Sequence, residues 1–306
     1  LTDNLYAEIK RLKAERRAVI LAHNYQPEEV QDVADYTGDS LGLSIAAAKT
    51  DANVIVFCGV YFMAETAKIL SSAKKVLMPE IIAGCPMADM LNVPKLKKLR
   101  EEHPRAKVVC YVNSTAAVKA EADICCTSAN AVKVVSSLAD ADEIIFVPDK
   151  YLGMYTASKV KDKKFFFSDG FCPTHMKITP QQIQKLREEH PKAAVIVHPE
   201  CRPEVIAEAD AALSTEGMIE YSKKSKAKEI IVGTEIGMLH RLKKEVPGKT
   251  FYPASRLAVC PNMKLTTLEK VLWSLEDMKT EVMVPDDIAD RARSAIQKMI
   301  EVGRQD

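Results

Sequence analysis

Hydrophobic and polar positions along this chain change in blocks rather than residue by residue. Three charged stretches, residues 9–16, 96–103 and 183–190, read as helices, and the last two share Leu-Arg-Glu-Glu-His-Pro at 99–104 and 186–191. Each leads into an apolar run: Ala18-Val19-Ile20-Leu21, Lys107-Val108-Val109-Cys110 and Ala194-Val195-Ile196-Val197. Continuous Val/Ile-rich runs mark strands buried on both faces, as in parallel sheets, whereas a half-exposed strand alternates. A short helix, an Ala-Asp pair (34–35, 122–123, 209–210) and a Ser/Thr turn opening another helix follow each run. A second apolar run comes next, at 54–57, 144–147 and 230–232. After a further helix, a third strand leads to a cysteine.

This order occurs three times, and strands alternating with helices predict an α/β fold with parallel sheets. The period exceeds that of any solenoid, so the pattern predicts three α/β domains related by a pseudo-threefold axis around a central active site. The expected units are residues 1–91, 92–179 and 180–265, with the helices of 266–306 outside the repeat and joined to the first unit. Thr266-x-x-Glu269 resembles a capping box opening a helix that carries Trp273. Ile288, Ala292, Ala295, Ile296, Met299 and Ile300 form the apolar face of a last amphipathic helix.

Composition narrows the function. Among 306 residues, 43 basic and 42 acidic side chains nearly cancel, which gives no electrostatic reason to expect nucleic acid. No apolar run reaches the roughly 18 residues of a membrane span, so no membrane partner is expected. Residues 1–6 do not read as a signal peptide. The eight cysteines are too dispersed for a secreted disulfide scaffold, which points to a reducing cytoplasm where they serve as core, catalytic or ligand groups.

Three of them, Cys85, Cys172 and Cys260, stand 87 and 88 positions apart, in register with the repeat. Equivalent positions converge on a threefold axis, so three thiolates meet there as a metal or iron–sulfur site with one coordination position open. The register supplies more. His23, Tyr111 and His198 each lie 11 residues before an Ala-Asp pair, just past a strand, and Tyr25, Asn113 and Glu200 follow two residues later. A spacing of two on extended chain puts both side chains of a pair on one side. Asp39-Ser40, Thr127-Ser128 and Ser214-Thr215 stand at expected helix starts, where N-caps and free N–H groups favour anions. Ligands bind beyond the carboxyl ends of parallel strands, so all these groups can face one cavity. Cys58 and Cys110 lie in apolar strands and read as core. The adjacent Cys125 and Cys126 point differently, Cys201 reads as structural, and His103 and His190 read as solvated helix ends. His175, three residues after Cys172, reads as substrate-facing, with a role as fourth ligand the alternative.

These residues fall within segments that resemble the quinolinate synthase (NadA) family: His23-Asn24-Tyr25-Gln26, Gly38-Asp39-Ser40, Phe62-Met63-Ala64-Glu65-Thr66, Cys85-Pro86-Met87-Ala88, Tyr111-Val112-Asn113-Ser114, Thr127-Ser128-Ala129-Asn130, His198-Pro199-Glu200-Cys201, Gly233-Thr234-Glu235 and Cys260-Pro261-Asn262-Met263. The resemblance runs from about residue 8 to residue 280. It implies a [4Fe–4S] cluster on Cys85, Cys172 and Cys260 and a three-domain α/β fold. It further implies condensation of iminoaspartate with dihydroxyacetone phosphate to quinolinate, with loss of phosphate and two waters, for NAD biosynthesis. Full thiolate ligation takes four cysteines, so three leave one iron free as a Lewis acid. By matching positions, Tyr25, Glu200, His198, His23, Tyr111 and Asn113 line the reacting centre, with Glu200 and His198 the proton-transfer candidates. Ser40, Ser128, Ser214 and Thr215, with their helix starts, hold carboxylates and phosphate. L-aspartate oxidase or aspartate dehydrogenase is the implied source of iminoaspartate.

Two positions depart from the pattern. Glu216 stands where many relatives carry glycine, beside an expected anion site. Cys260 is the only cysteine of its segment, where some relatives carry Cys-x-x-Cys-x-x-Cys, so a disulfide switch there is excluded. Three alternatives stay open: a three-lobed cluster reductase resembling hydroxymethylbutenyl diphosphate reductase, a non-catalytic cluster carrier or redox sensor, and a structural zinc site of three cysteines and His175.

Overall fold

The computed structural model describes residues 2–305. Its strands build three four-stranded sheets, parallel throughout. The first contains β1 (Ala18–His23), β2 (Tyr36–Gly38), β3 (Val54–Cys58) and β4 (Lys75–Leu77), in the order β2-β1-β3-β4. The second contains β5 (Lys107–Tyr111), β6 (Ile124–Cys126), β7 (Glu143–Val147) and β8 (Lys164–Phe167), and the third β9 (Ala194–Val197), β10 (Ala211–Ala212), β11 (Glu229–Gly233) and β12 (Thr250–Pro253). Both repeat the order of the first. The inner strands β1, β3, β5, β7, β9 and β11 are the continuous apolar runs, and Ile20, Val56, Val108, Ile145, Val195 and Ile231 among them are fully buried. The α/β class and parallel sheets expected from the sequence are present.

The sequence reading lacked one strand per sheet. β2, β6 and β10 are only 3, 3 and 2 residues long and directly follow the Ala-Asp pairs. They exist because of those pairs. Asp35, Asp123 and Asp210 each accept a hydrogen bond from the neighbouring strand's backbone N–H, at Ile20 (2.8 Å), Val108 (2.8 Å) and Val195 (2.7 Å). Each also donates its own N–H to the same residue's carbonyl. The opening helices, Thr2–Glu15, Val93–Glu102 and Pro180–Glu189, return Lys13, Arg100 and Arg187 to the same three carboxylates. One aspartate per unit thus ties edge strand, inner strand and helix together.

Two histidines differ from expectation. His103 and His190 are half-buried rather than solvated, stacked on Phe166 and Tyr252 with ring centroids 3.4 and 3.8 Å apart. Each pins the end of its opening helix to the fourth strand of its sheet.

Helix Leu268–Asp277 packs with helix Thr2–Glu15 over the first sheet, burying Leu268, Val271 and Leu275 against Ile9, Leu12 and Ile20. Its cap is Thr267, which accepts from Lys270 N; the capping box expected from Thr266 and Glu269 does not form, since the cap stands one residue later and Lys270 at its third position has no acceptor. Helix Asp286–Val302 lies against β6 and against helix Tyr61–Leu70, with Ala292, Ala295, Ile296 and Met299 inward as the sequence predicts. Among the described residues no helix is long and apolar enough to cross a membrane.

Replacing Asp123 by alanine leaves the Val108 N–H without its acceptor and frees Arg100. The expected loss is about 1–3 kcal/mol, read as a lower urea midpoint at unchanged slope.

Candidate functional site

The carboxyl ends of β1, β5 and β9 supply the first layer of a cavity of about 230 Å³ lined by residues from all three units. His23, Tyr25, Tyr111, Asn113, His198 and Glu200, the three strand-end pairs, all line it. In the first and third pairs the chain turns so that the histidine Nδ1 accepts the backbone N–H two residues on, at 3.2 Å for His23 and 3.3 Å for His198. That bond leaves the proton of each neutral imidazole on Nε2, and His198 Nε2 lies 3.1 Å from Ser128 Oγ. Burial lowers His23 to about 4 and His198 to about 3, so both are neutral donors near pH 7.

Glu200 is the hub. Burial works against its ionised form, yet the adjacent His175 and His198 and the hydrogen bonds of His175 and Tyr111 hold it below the usual carboxylate range. His175 Nδ1 is 2.8 Å from Glu200 Oε2 and 3.1 Å from Cys172 Sγ, while its Nε2 is 2.9 Å from Thr234 Oγ1. Thr234 Oγ1 is in turn 2.6 Å from the Tyr25 hydroxyl. A carboxylate only accepts, so His175 Nδ1 donates to Glu200, and Thr234 Oγ1 links the other ring nitrogen of His175 to the Tyr25 hydroxyl. Burial first, and the Glu200 charge second, push Tyr25 and Tyr111 well above the ordinary phenol value, so both stay protonated. Asn113 Nδ2 faces Glu200 Oε1 at 3.4 Å, which leaves its buried Oδ1 as an acceptor with no protein partner. An orphan acceptor on a cavity wall is placed for a ligand N–H or O–H.

The helix starts are more varied than the sequence predicts. Asp39 caps helix Ser40–Lys49 through Gly42 N (2.8 Å), and Ser214 caps helix Thr215–Lys224 through Gly217 N (3.1 Å). Thr127 caps no helix; its hydroxyl accepts from Ala129 N, and the next helix, Ala131–Ser137, begins after Asn130. Asp39, Ser40, Ser128 and Thr215 line the cavity, whereas Ser214 is fully buried behind it. Asp39 is a buried carboxylate among groups suited to anions. Arg304 offsets it with two bonds of 2.7 and 2.8 Å. Burial disfavours the Asp39 anion, but Arg304 and the Gly42 N–H outweigh it and hold the carboxyl below its ordinary range. Glu216 turns away from the cavity to a bidentate pair with Arg241.

Cys85, Cys172 and Cys260 also line the cavity, each at a Cys-Pro turn. Each thiol accepts hydrogen bonds from backbone N–H groups just downstream: Met87 and Ala88 for Cys85, His175 for Cys172, Asn262 and Met263 for Cys260. Burial pushes all three up, Cys85 to about 12, so a bound cation is what favours their thiolates. Among the described residues, Cys172, His175 and Glu200 form the one set of three potential ligand atoms within 4.8 Å of one another. Of the three cysteines only Cys172 belongs to that set. Three thiols with N–H···S bonds on one cavity wall are donors of the type that holds an iron–sulfur cluster. The other five cysteines are fully buried, Cys58, Cys110, Cys125 and Cys126 in strands and Cys201 against Gly233 O.

Sequence reasoning gave no role to Thr234, Glu235, Arg304, Arg241 or the Asn24 side chain. Glu235 is buried on the cavity wall and accepts from Cys260 N (3.1 Å), Gly237 N (2.7 Å) and Lys264. The signal was partial: Thr234 and Glu235 lie in a quoted segment, but their partners are remote in the chain.

Three parallel sheets and a shared buried cavity, with titratable groups and three thiols on its wall, define an α/β enzyme. The profile of the quinolinate synthetase A protein family (NadA) matches residues 7–301, and the chain belongs to that family. It is 58% identical over 295 residues to a quinolinate synthase of Dehalococcoides mccartyi, covering 96% of this chain and 97% of the relative. It is 56% identical over 302 residues to one from Geotalea uraniireducens, covering 99% of both chains. Quinolinate synthase 1 of Methanosarcina acetivorans is 55% identical over 299 residues, covering 98% of both.

Arg304→Gln leaves Asp39 buried without its cation. The Arg304 side chain is 27% exposed, so the expected cost is roughly 2 kcal/mol, less than for a fully buried pair. A depressed carboxylate contributes stability above its unfolded pKa, near 3.9, and loses it as pH falls through the folded value. The gap between wild type and variant is therefore expected in full at neutral pH and to close as pH falls through and below about 4, measured by denaturant midpoints across pH.

Proposed function

We propose that this chain condenses iminoaspartate with dihydroxyacetone phosphate to form quinolinate, releasing phosphate and two waters. The observation that carries the proposal is Glu200, a buried carboxylate kept ionised and ringed by hydrogen-bond donors on the wall that also bears the three thiols. A carbon–carbon condensation followed by dehydrations needs a base shielded from water and acids that protonate departing oxygens. Glu200 is the base, supported by His198. Tyr25 and Tyr111, kept protonated by burial, are the acids. The Nε2–H groups of His23 and His198 and the hydroxyls of Ser40, Ser128 and Thr215 hold carboxylate and phosphate oxygens. Ser214 acts from behind, fixing the helix start that carries Thr215. The orphan Asn113 Oδ1 accepts the imine N–H.

Cys85, Cys172 and Cys260 hold a [4Fe–4S] cluster in this reading, which supplies a Lewis-acidic iron position that no cysteine occupies. His175, hydrogen-bonded to Cys172 and Glu200, faces the substrate and stands between the two centres. Iminoaspartate arrives from L-aspartate oxidase or aspartate dehydrogenase, and the reaction runs in the cytoplasm, where free thiols persist.

Anaerobically purified protein is expected to carry about four irons per chain and to form quinolinate from the two substrates. Cys85→Ser, Cys172→Ser and Cys260→Ser are each expected to lose iron and colour, while Cys58→Ala keeps them; iron retained in all three serine variants overturns the ligand assignment. Glu200→Gln is expected to lower kcat at least about a hundredfold with iron content and visible spectrum unchanged. Full turnover in that variant sinks the base assignment.

A further inference from the structure

Thr215 opens its helix with its hydroxyl on the cavity wall and is 2% exposed. A hydroxyl can donate or accept, so its identity alone does not say which charge it selects. Three residues behind it decide the matter. Asn24, in the turn after β1, places Nδ2 2.7 Å from Thr215 Oγ1 and Oδ1 2.7 Å from Arg241 Nη1. Arg241, on helix Met238–Glu245, is gripped by Glu216 with bonds of 2.8 and 3.0 Å.

The polarity of this chain has one solution. A guanidinium only donates, so the Asn24 atom facing it is the carbonyl oxygen. The amide NH₂ then faces Thr215, whose Oγ1 accepts. Among the described residues Thr215 Oγ1 bonds no protein acceptor, and the cavity that Thr215 lines is where its proton can find one. We propose that Arg241, anchored by Glu216, is a positioning residue that makes Thr215 an obligate donor to an anionic oxygen of the ligand. Glu216, the position that departs from the glycine of many relatives, is then the anchor of this device rather than an intrusion into an anion site. The proposal rests on the reading that the cavity takes anionic ligands, and it adds how one contact acquires its polarity.

The decisive variant is Asn24→Asp, which keeps the shape and the Arg241 bond but can only accept from Thr215. The hydroxyl must then turn its proton away from the cavity. Dissociation constants for inorganic phosphate and for quinolinate are measured by calorimetry on anaerobic, cluster-loaded protein, alongside KM and kcat. Asn24→Asp, Arg241→Met and Thr215→Val are each expected to weaken at least one ligand about tenfold to a hundredfold, with KM rising more than kcat falls. Arg241→Lys, still a pure donor, is expected to keep most of the affinity. In a Thr215→Val background, Asn24→Asp is expected to add little, because the proton it redirects is gone. Equal weakening by Asn24→Asp in both backgrounds means a simple charge effect and overturns the proposal, as does unchanged affinity in Arg241→Met. If Arg241→Met does not fold, the Asn24→Asp comparison decides alone. Absence of anion binding by the wild type also overturns it. Phosphate binding that follows the expected pattern in a protein making no quinolinate refutes the proposed reaction and leaves the polarity of Thr215 standing.

Discussion

Every part of this molecule answers to one constraint: a polar cavity buried from water is stable only if its polar atoms are paired. An unpaired buried group costs about 1–3 kcal/mol, and the site holds two phenols, three imidazoles and a carboxylate, all nearly inaccessible. Their partners come from other units. Tyr25 of the first unit bonds Thr234 of the third, His198 of the third bonds Ser128 of the second, and Glu200 of the third takes Asn113 of the second. Gln26 reaches across to the Met263 carbonyl at 2.9 Å. The hydrogen bonds that organise the chemistry are therefore the bonds that hold the units in contact. Six buried side-chain atoms among the described residues escape the rule, and of these Asn113 Oδ1 alone belongs to a residue of the cavity wall.

The same constraint explains how charge is managed. Asp39, Glu200 and Glu235 bring three carboxylates to the cavity wall, and Glu216 adds a fourth behind it. Each is answered: Asp39 by Arg304, Glu216 by Arg241, Glu235 by Lys264 and Glu200 by His175. Arg304 lies beyond the last helix, and its neighbour Gln305 bonds Ala129 O through its N–H (3.0 Å), beside Ser128. The C-terminal segment thus ties the Ser128 turn of the second unit to the capped helix of the first. Removing its contacts leaves Asp39 a buried anion without its cation.

Much of this was legible in the chain because the repeat converts sequence position into spatial equivalence. The strand-end pairs and the three cysteines were readable since each sits at a fixed offset from an apolar run, and offset fixes the end of a strand. The short strands β2, β6 and β10 were not readable, being too brief for any periodicity. Their cause, the repeated aspartate, was visible as a pattern but not as a clamp, because its partners lie 15 residues away on a neighbouring strand. Thr127 looked like a cap by type and position, but its hydroxyl satisfies Ala129 N in a turn, and the helix starts later. His103 and His190 looked solvated because the rings that cover them lie more than 60 residues on. Arg304 and Arg241 carry no local signal: a surface arginine and one that polarises a site differ only in what they meet.

The three cysteines show how the backbone can prepare a centre that side chains alone do not complete. Burial drives each thiol toward its neutral form, which opposes metal binding, and among the described residues no lysine or arginine hydrogen-bonds any of them. The Cys-Pro turn supplies the counterweight. Proline lacks an N–H and fixes its own φ, so the following N–H groups fold back onto the sulfur, as they do at Cys85, Cys172 and Cys260 alike. Such bonds favour a thiolate without adding a cation that would repel a metal, and they would tune a group bound there. The arrangement is threefold in its backbone and single in its side chains. His175 contacts a cysteine, whereas the equivalent positions are Ala88 and Met263. That one asymmetry joins the thiol side of the cavity to Glu200, and so gives an otherwise equivalent triad a direction.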